Sequence, residues 1–288
     1  MRFDSEARDA ALRLLEWSLH EDRARHDVTS LLAVPDDARG RFVVRNRAAG
    51  VVAGIEAVAL TLELLGADAS ASVVVEDGTS LAVPTALATV EGRRLDVLAT
   101  ERTFLNLIGV LSGTATLTRR FVDAAGPGCT ILDTRKTWPG YRTLQKYAVR
   151  CGGGRNHRPH LAGGILLKDN HRQYGLDLPA LVRRARAGHG GLEIVVEVDG
   201  LDELDEALGL DVDRVLLDNF DPDGLAEARR LRDARAPSIA LEVSGGVDLT
   251  TVGALAAAGA DYASVGALTH SAAVFDVGLD ELAAEDAS

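Results

Sequence analysis

The chain has 288 residues, 47% of them hydrophobic and 4% aromatic, with a formal net charge of −12. That length and apolar content suit one barrel-sized domain, or a barrel with a smaller domain beside it, and exclude a disordered chain. The acidic balance excludes broad nucleic-acid binding, which needs an extended basic surface, and two cysteines without a CxxC pair, Cys129 and Cys151, exclude a disulfide framework.

Residues 6–20 place Ala7, Ala10, Ala11, Leu14, Leu15 and Ser18 at helical spacing with charges between them, which predicts an amphipathic helix. A polar segment at 20–30 follows. Strand-like runs come next at 41–47, 51–55, 72–75 and 81–83, with a helix at 56–65. From 95 to 125 the period is helical, and Ser112-Gly113 divides it into helices at 101–111 and 115–122. No apolar run reaches the ~18 residues that span a bilayer, and the opening MRFDSEARDA has no signal-peptide core. The expected location is the cytoplasm, with no membrane partner.

After Gly128 the rhythm changes. Short apolar runs end in a polar residue, then a loop, then a helix: Thr130-Ile131-Leu132 before Asp133-Thr134-Arg135-Lys136, Ile165-Leu166-Leu167 before Lys168, and later runs ending at Glu197, Asp218, Ser244 and Gly266. The last five ends are spaced by 29, 21, 26 and 22 residues, the length of one βα unit. Repeated βα units predict a parallel sheet in a (β/α) barrel, whose chemistry sits at the C-terminal ends of the strands. The fold expected is therefore α/β, an incomplete barrel at 113–274 with an N-terminal α+β sandwich at 1–112. The acidic tail at 275–288 reads as a helix that packs back on the first domain.

One stretch concentrates positive charge against the overall balance. From Arg135 to Arg172 there are nine Lys/Arg and a single acid, Asp169. A local excess of that size needs an anion. Arg135, Arg158 and Lys168 are natural carboxylate clamps, because guanidinium offers planar paired donors and ammonium a point charge. Arg102 would add a fourth cation, although a solvated helix charge is its plainer reading. Lys136 is left for a second anion such as pyrophosphate. Ser244-Gly245-Gly246 and Gly266 follow successive late strands, and their backbone N–H groups suit a phosphate, with a helix at 248–257 behind the first turn; ordinary βα turns are the alternative. Glu197 and Asp218 could hold Mg²⁺ through water, accept from sugar hydroxyls, stabilise a developing cation, or serve only as salt-bridge partners. Three sharper alternatives carry less weight: zinc at His157, His160 and His171, a nucleophilic Cys151, and a Schiff base at Lys168.

At DTRKT-PG-R, KYAV-CGGG-NHR and KDNH, and at ERTFLNLIGVLSGTAT, the sequence resembles the quinolinate phosphoribosyltransferase family. The N-terminal ED and DVTS and the strand ends at Glu197, Asp218-Asn219, Ser244-Gly245-Gly246 and Gly266 extend the resemblance over nearly the whole chain. It implies a sandwich domain joined to an incomplete barrel, and a homodimer with shared active sites in which Arg102 enters the partner's site. It implies that Arg135, His157, Arg158 and Lys168 bind quinolinate. Lys136, with Thr137 beside it, Glu197 and Asp218 would serve phosphoribosyl pyrophosphate and its Mg²⁺, and the glycine turns the ribose 5-phosphate. The implied reaction is phosphoribosyl transfer with decarboxylation, giving nicotinate mononucleotide. The chain departs from the family pattern at Trp138, Tyr141, 159–164 and Arg172, and at Arg23 and Arg25 where glycine is usual. Two other readings therefore stand beside it: a related phosphoribosyltransferase for another aromatic acid, and a ligand-binding relative without turnover.

Overall fold

A computed structural model describes residues 1–172, 174–189 and 191–283. In chain order the elements are α1 (Ser5–Glu21), α2 (Val28–Ala33), β1 (Arg39–Asn46), β2 (Gly50–Val51), α3 (Ala57–Leu65), β3 (Ala69–Val73), β4 (Ser80–Leu81), β5 (Ala86–Arg93) and α4 (Arg94–Ala125). They continue with β6 (Thr130–Leu132), α5 (Arg142–Cys151), β7 (Ile165–Leu167), α6 (Asp169–Arg172), α7 (Leu178–His189), β8 (Ile194–Val198) and α8 (Leu201–Leu208). The last are β9 (Arg214–Asp218), α9 (Pro222–Arg235), β10 (Ala240–Ser244), α10 (Val252–Ala258), β11 (Tyr262–Ser264), α11 (Ala267–His270) and β12 (Val277–Glu281).

The chain forms two compact units. The first gathers residues 1–119, 138–153 and the segment from Ser271 onward. Its antiparallel sheet runs β12-β1-β5-β3, and α1 and α3 bury an apolar face in the same core. Asp4 caps α1 by accepting from Ala7 N at 2.8 Å. Ala7, Ala10, Ala11 and Leu15 are buried as the helical spacing requires.

Three expectations are corrected here. α4 is one helix of 32 residues, not two. Ser112-Gly113 does not break it, because both residues serve packing. The Ser112 hydroxyl accepts from Ala53 N at 3.0 Å, and one turn later Thr116 Oγ1 accepts from Val51 N at 2.9 Å. A Cβ on Gly113 would lie 2.0 Å from the Ala273 carbonyl oxygen, so only glycine admits that backbone. The tail is a strand where described: β12 pairs antiparallel with β1, Glu281 opposite Phe42 and Val277 opposite Asn46, while 284–288 lie outside the described residues. Its acids pair with arginines, Asp280 with Arg47 at 3.2 Å and Glu281 with Arg94 at 2.6 Å. Finally, β5, which sequence periodicity missed, is the strand that β1 and β3 both pair with.

Residues 138–153, placed with the barrel by sequence, belong to the first unit. There Tyr147 and Cys151 of α5 pack into the core. Asp77 accepts from Gly54 N at 2.6 Å, Ile55 N at 3.1 Å and the Tyr147 hydroxyl at 2.6 Å. Burial, reinforced by Asp77, pushes the Cys151 thiol up to about 12. A buried thiol so far from ionising is a core residue, which disposes of the nucleophile reading.

The second unit holds residues 120–137 and 154–270. Its six strands are all parallel in the order β6-β11-β10-β9-β8-β7. This is the expected α/β architecture, a barrel left incomplete. β9 and β10 are largely buried until their last residues, Asp218 and Ser244, which turn partly exposed. That pattern aligns the polar ends on one rim.

The Asp77 cluster sets a test. Asp77→Ala should lower stability by about 3–5 kcal/mol, since three buried donors lose their acceptor, whereas Tyr147→Phe should cost only about 1 kcal/mol. Chemical denaturation of the two variants checks the order; equal losses would contradict the central place given to the carboxylate.

Candidate active site

At the rim of the second unit lies a cavity of about 520 Å³. Nine residues expected from sequence line it: Arg135, Lys136, His157, Arg158, Lys168, Glu197, Asp218, Ser244 and Gly245. Strand register explains how positions so far apart meet. Ser244 is the direct neighbour of Asp218, and Glu197 lies beside Leu216, two residues before Asp218.

His157 and Arg158 arrive differently, because no apolar strand precedes them. Arg155 makes a parallel bridge to Leu132, donating its N–H to the Ile131 carbonyl at 2.9 Å and accepting from Asp133 N at 3.3 Å. Residues 155–158 thus act as a rudimentary strand beside β6. The buried Asp133 carboxylate fixes its end, accepting from Asn156 Nδ2 at 2.6 Å and from His157 N at 2.9 Å. Arg158 N donates to His157 Nδ1 at 2.8 Å. A neutral imidazole with Nδ1 as acceptor carries its proton on Nε2, and Nε2 lies 3.7 Å from Glu242 Oε1.

The electrostatics are those of an anion site. The Arg158 guanidinium is held below its ordinary pKa first by burial and then by Arg135 beside it, while Nη1 donates to the Gly164 carbonyl at 3.0 Å. Two cations held this close favour an anion between them. Lys168 pairs with Glu197 through a short contact to Oε2. Gly245 has a steric cause, since a Cβ there would meet Asn219 Oδ1 at 2.1 Å; a Cβ on Gly266 would meet His270 Nε2 at 3.0 Å and the Lys136 side chain at 3.3 Å.

Four expected residues are absent from this lining. Arg102 is exposed on α4 in the first unit. Thr137 lies one residue past the cavity's edge and donates its N–H to the Arg135 carbonyl at 3.0 Å. Gly246 lines a neighbouring cavity of about 230 Å³, and Gly266 stands behind Lys136. The helix expected at 248–257 begins only at Val252, because Asp248 instead closes a turn by accepting from Thr250 N and Thr251 N. The glycine turn therefore offers N–H groups without a long helix behind it. Among the described residues no group of three or more His, Cys, Asp or Glu is placed to hold a metal, which removes the zinc reading. The departures at Trp138 and Tyr141 belong to the first unit, where their rings pack edge to face at 5.7 Å. Those at 159–162 form an exposed turn outside the cavity lining.

Sequence reasoning missed Thr134, Leu166, Leu216, Asn219, Glu242 and Ser264. Glu242 had a legible signal: it is a charge in the middle of a buried strand, and β9 begins with the opposite charge, Arg214. Glu242 is fully buried, takes the Ser264 hydroxyl in a short hydrogen bond, and lies 3.0 Å from Arg214 Nη1. Arg214 also bonds Glu193 and lies over the Tyr262 ring at 4.4 Å. Burial raises the Glu242 pKa, and Arg214 and Ser264 oppose it.

Two family models match the chain: quinolinate phosphoribosyl transferase, N-terminal domain, at residues 27–112, and quinolinate phosphoribosyl transferase, C-terminal domain, at 114–280. The chain belongs to the quinolinate phosphoribosyl transferase family. It is 43% identical over 276 residues to the nicotinate-nucleotide pyrophosphorylase [carboxylating] of Mycobacterium leprae, a match covering 94% of this chain and 97% of that protein. The nicotinate-nucleotide pyrophosphorylase structure from Francisella tularensis superposes with a TM-score of 0.88 at 34% identity, covering 95% of this chain and 96% of that one. The corresponding structure from Ehrlichia chaffeensis gives a TM-score of 0.87 at 31% identity, covering 98% and 100%.

The buried pair of Arg214 and Glu242 is open to a direct test. Arg214→Met strands Glu242 as a buried charge and should cost about 3–5 kcal/mol, while the double variant Arg214→Met with Glu242→Leu should recover most of that loss. Equilibrium unfolding of both decides it; a double variant as unstable as the single one would rule the pairing out as the cause.

Proposed function

We propose that the chain transfers the phosphoribosyl group of phosphoribosyl pyrophosphate to the ring nitrogen of quinolinate, with loss of CO₂, giving nicotinate mononucleotide and pyrophosphate. This is the activity class named for its carboxylating nicotinate-nucleotide pyrophosphorylase relatives. The observation that carries it is the meeting, in one cavity, of the cluster Arg135, His157, Arg158 and Lys168 with the strand-end carboxylates Glu197 and Asp218. A dianionic acceptor suits the first group and a ribosyl donor the second.

In this reading Arg135, Arg158, Lys168 and the Nε2–H of His157 take the two carboxylates of quinolinate. Lys136 faces the pyrophosphate, with Thr137 beside it. Ser244, Gly245, Gly246 and Gly266 receive the 5-phosphate through backbone N–H groups. The pyridine nitrogen then bonds to ribose C1 as the C1–oxygen bond to pyrophosphate breaks. Positive charge developing on the sugar faces Glu197 and Asp218, and Lys136 offsets the charge of the leaving group. The new bond makes the ring cationic. The electron pair of the C2–carboxylate bond stays on C2, stabilised by the adjacent cationic nitrogen, as CO₂ leaves, and C2 then takes up a proton. The protein's share is positioning and charge.

Glu197 and Asp218 fit a magnesium ion arriving with the donor. They are two hard oxygen ligands on paired strands lining one cavity, and would hold the ion together with phosphate oxygens and water. When bound, the ion would offset pyrophosphate charge. The proposal includes a homodimer with shared sites, in which the exposed Arg102 reaches the partner's cavity, and a cytoplasmic location. No helix among the described residues is long and apolar enough to cross a membrane.

Purified protein given phosphoribosyl pyrophosphate, Mg²⁺ and quinolinate should release CO₂ and nicotinate mononucleotide; pyrophosphate release only with another pyridine acid would overturn the acceptor assignment. Lys168→Met should raise KM for quinolinate at least about ten-fold, the scale of one charge-assisted hydrogen bond, with a smaller change for phosphoribosyl pyrophosphate. Part of that loss is Glu197 left without its cation, so adding Glu197→Gln should restore quinolinate binding in part. Arg102→Ala should abolish turnover, and mixing it with Arg135→Ala chains should return about a quarter of the activity if sites are shared. Inactive mixed dimers would place Arg102 outside a shared site.

A further inference from the structure

Asn219 has a backbone that its neighbours do not. Its φ is 57°, in the left-handed region, and among the described non-glycine residues it shares that property only with Arg23. A non-glycine residue held there at the end of a catalytic-rim strand is an outlier that calls for a cause. The conformation lets one side chain do two things. Asn219 Nδ2 donates to Asp218 Oδ2 at 2.8 Å, and Asn219 Oδ1 fills the space a Cβ on Gly245 would need, at 2.1 Å. The backbone closes the same unit, Asn219 N donating to the Ser244 carbonyl at 2.8 Å. Asn219 and Gly245 line both the main cavity and its neighbour of about 230 Å³, so together they form part of the wall common to both.

We infer that Asn219 is the positioning residue of the donor half of the site: its carboxamide sets the rotation of Asp218 and the course of the Ser244-Gly245-Gly246 turn in one step. Asparagine suits the place on three counts. It tolerates the left-handed region better than other non-glycine residues. Its N–H₂ meets the Asp218 carboxylate, where aspartate would oppose it with like charge. Its oxygen is small enough to lie over a glycine. The inference rests on the reading of Asp218 and the glycine turn as the donor site, and it assigns Asn219 no contact with the reacting atoms.

The test is substrate affinity, measured by calorimetry with each substrate alone and Mg²⁺ held constant. Asn219→Gly keeps the left-handed backbone and removes the amide; Asn219→Asp keeps the shape and reverses the donor, and serves equally if the glycine variant folds poorly. Both should bind phosphoribosyl pyrophosphate about ten-fold more weakly, the scale expected for one hydrogen bond to a charged group. Quinolinate affinity should stay within about two-fold and the melting temperature near that of the unaltered protein. Asp218→Asn should also weaken donor binding, and combining it with Asn219→Gly should weaken it little further, because the two act as one unit. Donor affinity unchanged in Asp218→Asn overturns the donor-site reading and the inference with it. A loss in Asp218→Asn with none in either Asn219 variant overturns the inference alone. Equal losses for both substrates with a lowered melting temperature, or fully additive losses in the double variant, would show a merely structural residue.

Discussion

Like charges gathered in a partly desolvated cavity are the constraint on which the rest of the second unit depends. Burial first, and then Arg135 beside it, holds the Arg158 guanidinium below its ordinary pKa. Side-chain hydrogen bonds hold Arg158: its N–H donates to His157 Nδ1, its guanidinium donates to the Gly164 carbonyl, and Asp133 fixes the segment before it. An anion between two guanidinium groups held this close relieves their repulsion. Lys168 has a partner in Glu197, so an incoming carboxylate has to share or displace that contact.

The barrel's interior carries the matching acid. Glu242 lines the cavity, between Arg214 and His157, and is the one charged residue of β10. A carboxylate there costs desolvation energy, and the arginine beneath it returns part of that cost. The arrangement sets Glu242 Oε1 3.7 Å from His157 Nε2. One buried ion pair thereby connects the packing of β9, β10 and β11 to the orientation of a rim residue. The contact between Arg214 Nη1 and Glu242 Oε2 lacks hydrogen-bond alignment despite its 3.0 Å separation, so it acts as charge against charge rather than as a directed bond.

What the sequence disclosed follows from which signals are local. Apolar runs ending in a polar residue are local, and they revealed the strands and the rim residues Lys168, Glu197, Asp218 and Ser244. Charge density is local too, and it revealed Arg135, Lys136 and Arg158. The misjudged elements all depend on distant partners. Gly113 reads as a break until the Ala273 backbone is brought against it. The acids of β12 read as a solvated helix until Arg47 and Arg94 stand opposite. Residues 138–153 read as barrel because they sit between two βα units, yet their buried face belongs with Asp77 and Phe3.

The stretch at 155–158 shows why such gaps fall at the site itself. A full strand ahead of His157 and Arg158 would announce itself as an apolar run and would bury its own length. Here one bridged residue, Arg155, does the alignment, and a single buried carboxylate, Asp133, replaces the ladder that a strand would supply. The economy has a consequence for function. His157 and Arg158 are attached to β6 through side-chain hydrogen bonds rather than through a ladder of backbone bonds, so their position depends on the geometry of Asp133. The edge of the sheet where the barrel is incomplete is therefore where His157 and Arg158 are added. A closed barrel would fill that place with apolar strand and leave no backbone from which two adjacent residues could both face the cavity.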